Sequence, residues 1–144
     1  MKDPYLKPVI FGGLLITSLS IIFIPAIFLW AVIGGYVAVR LANKITKELM
    51  STVDALFLGL FSGVIGGTCL DIFTFISFRF SDNQGLLIKT FEKKWPKEVA
   101  PMPNFVELLP ALFLTTSVFV IIVTVMFSLV GSYAGILISR RKNK

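Results

Sequence analysis

The stretch VIFGGLLITSLSIIFIPAIFLWAVIGGYVAV, Val9 to Val39, contains no charged residue, and how it is divided decides the fold. As one helix it would be roughly 46 Å long at about 1.5 Å per residue, well beyond a hydrocarbon core of about 30 Å. Pro25 lies at its middle. Proline lacks an amide donor and disfavours helical geometry at the preceding Ile24, so a tight hairpin is expected there, with a short span on either side. Trp30 then falls near the interface at the turn end, where indole rings concentrate.

Two further apolar runs follow. From Ala55 to Phe78 the only charged residue is Asp71, and from Leu108 to Ile138 there is none. Each run exceeds the roughly 18 residues that mark a membrane-spanning helix. With 56% hydrophobic against 15% charged residues in 144 positions, the composition suits a chain solvated by lipid. The expected fold is all-α: a polytopic transmembrane bundle forming a single membrane-embedded domain over 1–144. Its spans are read at about 9–24, 26–42, 54–78 and 107–139, with an external amphipathic connection over 79–106. The N-terminal MKDPYLKPVIFGGLL also has the basic head and apolar run of a secretory signal, with Ile24-Pro25-Ala26 as a cleavage site. The apolar character continues to Val39, which argues against cleavage.

Charge placement sets the orientation. The net charge of +6 and pI near 9.7 could suggest nucleic acid. The basic residues instead sit where helices leave the bilayer, at Arg40, Lys44 and Lys47 and at Arg140, Arg141, Lys142 and Lys144, without the basic and aromatic pattern of an RNA-binding sheet. No nucleic-acid partner is expected; the partner is the lipid bilayer. Four spans put roughly nine of the 14 basic residues on one side and five on the other. Three spans would divide them about evenly and specify no orientation. The reading is therefore a multi-pass protein of the cell (inner) membrane with both termini cytoplasmic.

Within the connection, Leu87, Ile88, Phe91 and Trp95 recur at helical spacing, opposite Lys89, Glu92, Lys93 and Lys94. Asp82 reads as an N-cap and Pro96 as a stop, so a short amphipathic helix is expected, lying on the outer membrane surface, packed as a lid on the outer end of the bundle, or binding a partner. Its acids, with Glu98 and Glu107, read as solvated.

The segment LGLFSGVIGGTCLD, Leu58 to Asp71, places Gly59, Gly63, Gly67 and Asp71 on one helix stripe. In lipid the hydrophobic effect no longer draws helices together, and small residues that permit close backbone approach take over. The stripe, a glycine zipper, is read as a packing surface, with companions at Gly34 and Gly35 and at Gly131 and Gly135. Asp71 ends the stripe about 10 Å below Phe78. Hydroxyls at Thr17, Ser18 and Ser20, and at Thr115, Thr116 and Ser117, fall at comparable depth; Asp71, Thr17, Ser20, Thr116 and Ser117 are the candidate polar site. Such a site serves either an ion or proton path or a hydrogen bond that fixes helix register.

Nothing in the sequence supplies catalysis. There is no histidine, no phosphate-cradling glycine loop with its lysine, and no nucleophile with an evident base. Cys69, the single cysteine, reads as a small packing residue. Neither a cofactor nor a metal is expected.

Val32 to Val39 (VIGGYVAV) reads alongside Leu129 to Ile136 (LVGSYAGI) in its glycine, tyrosine and small-residue positions, and Phe11-Gly12 alongside Leu58-Gly59, which suggests two hairpins in parallel orientation. A glycine-bearing hairpin ending in Gly34-Gly35-Tyr36, a basic connection, the Gly59 to Gly67 helix, an amphipathic external segment and a basic-ended last helix resemble small bacterial or archaeal four-helix membrane proteins of unknown function. The resemblance implies organisation only and carries over no active residue. The expected role is a non-enzymatic structural or interaction subunit, self-associating as a homo-oligomer or packing into a larger membrane complex. The alternative is an oligomeric channel or transporter that uses Asp71.

Overall fold

A computed structural model describes residues 4–48, 50–80 and 105–142, with isolated positions between 81 and 104. Among the described residues the chain forms four α-helices and no strand. They are α1 (Leu6–Ile22), α2 (Ile27–Thr46), α3 (Thr52–Phe80) and α4 (Phe105–Lys142). The amphipathic helix expected between Asp82 and Trp95 lies largely outside the described residues.

The first apolar run is cut where its proline predicts. Helix α1 ends at Phe23, whose φ of −148° and ψ of 87° leave helical geometry, and a 3₁₀ turn over Ile24–Ala26 with Pro25 in its first positions starts α2. The Trp30 indole donates to the Phe23 carbonyl at 3.0 Å, satisfying an acceptor at the turn. Its role is thus to tie the hairpin as well as to sit near its tip. The helices run further than the apolar runs alone suggest, because hydropathy marks the lipid-facing length while caps decide where a helix stops. At the second turn Lys47 adopts a left-handed conformation (φ 57°), the Asn43 carboxamide oxygen accepts from the Met50 amide, and Ser51 caps α3. The Ser51 hydroxyl accepts from the Asp54 amide at 3.1 Å, an N-cap, and donates to the Asp54 carboxylate at 2.7 Å.

Three helical stretches are long and apolar enough to cross a membrane: Ile24–Thr46, Thr52–Arg79 and Glu107–Arg141. Helix α1, at 17 residues, is about 26 Å long. It packs between α2 and α3, while α4 packs against α3 and α2; α2 and α3 also touch across the bundle. Contacts ascend together along α1 and α3 (Gly13 with Ile65, Thr17 with Gly66) and along α2 and α4 (Val32 with Gly131, Tyr36 with Gly135), so these pairs are parallel neighbours. This is the side-by-side placement of two hairpins pointing the same way.

One end of the bundle gathers the basic residues. Arg40 lies over the Tyr36 ring at 5.8 Å, Arg140 donates to the Thr52 hydroxyl at 3.0 Å, and Asn43 donates to Ser139 at 3.3 Å. The core between consists of small and branched residues, with Ile16, Ala31, Ala38, Val39, Ala42, Ala55 and Ile136 fully buried.

Candidate functional site

The four largest interfaces are each built where a missing side chain lets backbones meet. A Cβ at Gly63 would lie 2.6 Å from Val125 Cα and 2.9 Å from the Thr124 carbonyl oxygen, and one at Gly67 would lie 3.0 Å from Ile121 Cα. At Gly59 it would collide with the Ser132 hydroxyl. These three glycines therefore line a single seam between α3 and α4. On the other interfaces, Gly35 fits against the Ser128 carbonyl and Gly131 against the Val32 carbonyl, joining α2 to α4. Gly34 faces elsewhere, toward Ile16 and the Gly12 carbonyl of α1. Gly135 is looser, with its nearest neighbours on α2 at 3.3 Å.

Close approach exposes carbonyls to hydroxyls on neighbouring helices. Thr17 donates to the Gly66 carbonyl at 3.0 Å as well as to Gly13 in its own helix. Ser62 donates to the Val9 carbonyl at 3.3 Å, and Ser132 reaches Gly35 at 3.4 Å while also bonding Ser128 at 2.9 Å. Ser62 and Gly66 form a second stripe on α3, directed at α1, which the Gly59-Gly63-Gly67 reading does not include. Its signal is the same four-residue spacing, shifted by one residue around the helix.

Asp71 ends the α3–α4 seam, with the Ser117 side chain facing it. Its carboxyl oxygen Oδ2 is buried and has no partner. Ser20 is fully buried, and its hydroxyl too has no partner. The α1–α3 register places Ser20 one turn beyond the Thr17–Gly66 bond and hence near the level of Leu70 and Asp71. The candidate group is thus only partly assembled. Ser117 meets Asp71, Ser20 lies near its level, and Thr17 is committed to Gly66 lower in the bundle. Thr116 is exposed and donates to the Leu112 carbonyl of its own helix, because it sits one step around α4 from Ser117. Among the described residues no cluster of three acidic, cysteine or histidine side chains could hold a metal.

The chain matches no protein-family model, no curated protein and no solved structure.

Proposed function

We propose that the protein is a small integral membrane subunit whose work is lateral association, with a second copy or with a larger membrane complex, through the outer half of α4. The observation that carries this reading is the imbalance of burial. Within the most apolar part of Glu107–Arg141 only 11% is buried, against 39% for Thr52–Arg79 and 33% for Ile24–Thr46. Thr115, Phe119, Ile122 and Met126 form one stripe on this helix; all are exposed. The basic end of the bundle is assigned to the cytoplasm of a cell membrane, since positively charged segments are retained there.

The test is co-purification from native membranes into nanodiscs, combined with crosslinking from cysteines placed at Thr115 and Phe119 in a Cys69→Ser background. Specific crosslinks to one partner or to a second copy support the reading. Recovery only as an uncrosslinked single chain overturns it.

A second reading, an ion or proton path, is favoured by the buried unpartnered oxygen of Asp71. Asp71→Asn separates the two. Flux that disappears while assembly persists supports transport; assembly that weakens, with no flux in the native protein, supports the packing role.

A further inference from the structure

The close α3–α4 seam stops at Asp71. Beyond it α3 continues as Ile72-Phe73-Thr74-Phe75-Ile76-Ser77-Phe78, with no glycine. Phe75 meets Phe113 edge-on with ring centroids 5.2 Å apart, so aromatic side chains occupy the space that bare backbone fills lower down. On α4, Pro110 interrupts the helical hydrogen-bond ladder nearby. A groove of about 590 Å³ opens here between the two helices. Leu109, Pro110 and Leu114 wall it together with the aromatic rings; Ser117 lies at its inner end and Arg79 at its rim.

That arrangement matches one amphiphile in particular. The groove's walls are hydrocarbon, its length from Ser117 to Arg79 is about 12 Å along the helix, and its volume lies within the roughly 300–1,000 Å³ of ligand pockets. At the rim, Arg79 is exposed and has no carboxylate partner among the described residues. It stands where a spanning helix reaches the headgroup layer, and a guanidinium pairs in a bidentate manner with phosphate oxygens.

We propose that the α3–α4 groove is a phospholipid site: one acyl chain lies between Phe113 and Leu114, and the headgroup phosphate sits on Arg79, with anionic lipids preferred. This site is independent of the lateral association proposed above, which uses the opposite stripe of α4.

Native mass spectrometry of the full chain, released from nanodiscs of equal phosphatidylglycerol and phosphatidylcholine, tests it. The expected result is one retained lipid per chain, enriched about fivefold in phosphatidylglycerol, the preference that roughly 1 kcal/mol per surface cation provides. Arg79→Gln is expected to abolish the enrichment, and Leu114→Trp, which fills an exposed groove wall, to abolish retention without lowering the melting temperature. Equal retention of the two lipids by the native protein overturns the proposal, as does an undiminished lipid adduct on Leu114→Trp. So does a disulfide-linked dimer formed through Leu114→Cys in a Cys69→Ser background, which would show a second copy in the groove.

Discussion

Inside the level of Asp71, α3 and α4 meet backbone to backbone through Gly59, Gly63 and Gly67; outside it, they meet through the rings of Phe75 and Phe113 and leave a groove. The same two helices are thus packed by two rules. In lipid, where hydrocarbon gains little by exchanging lipid contacts for protein contacts, the glycine rule gives dense dispersion contacts and reachable carbonyls, whereas bulky side chains leave space for a lipid chain. Helix α1 follows the inner rule. Helix α1 buries Gly12, Gly13, Ile16, Thr17 and Ser20, and it ends where the glycine seam of α3 has also ended.

Replacing Gly63 by leucine tests the inner rule most severely. The new side chain meets the Val125 backbone, which has no rotamer to yield, and a loss of about 3 kcal/mol or more is expected. Unfolding in mild detergent reads it, and a melting temperature equal to wild type would break the distinction between the halves. In the outer half, Phe113→Ala should cost about 1 kcal/mol from the lost ring pair and leave the inner helices intact. Hydrogen exchange should show the change confined to the outer ends of α3 and α4; protection lost across the whole bundle would mean that the rings, rather than the glycines, hold it together.

Smaller effects sharpen the contrast. Thr17→Val removes the bond to the Gly66 carbonyl but keeps the shape, and a loss of roughly 0.6 kcal/mol is expected in a denaturant titration. A loss several times larger would make hydroxyls, not close packing, the principal tie between α1 and α3. The smallest effect belongs to Gly135→Ala, whose Cβ would find its nearest neighbours at 3.3 Å; stability should change by no more than about 0.5 kcal/mol. A severe loss there would show that the α2–α4 interface tolerates no more bulk than the α3–α4 seam.

The helices, the break near Pro25, the apolar spanning lengths and the stripe that ends in Asp71 are all legible in the amino-acid order. Each follows from local rules: proline lacks an amide donor, uncharged runs have a spanning length, and residues four apart share a helix face. Tertiary structure alone decided which stripe meets which helix. Gly34 and Gly35 are adjacent in the chain, yet one faces α1 and the other α4; Thr17 bonds the Gly66 carbonyl, and Thr116 turns away from the carboxylate that Ser117 meets. Periodicity fixes the angle of a side chain about its own axis. The neighbour lying in that direction is set by the summed packing of all four helices, which no single segment encodes.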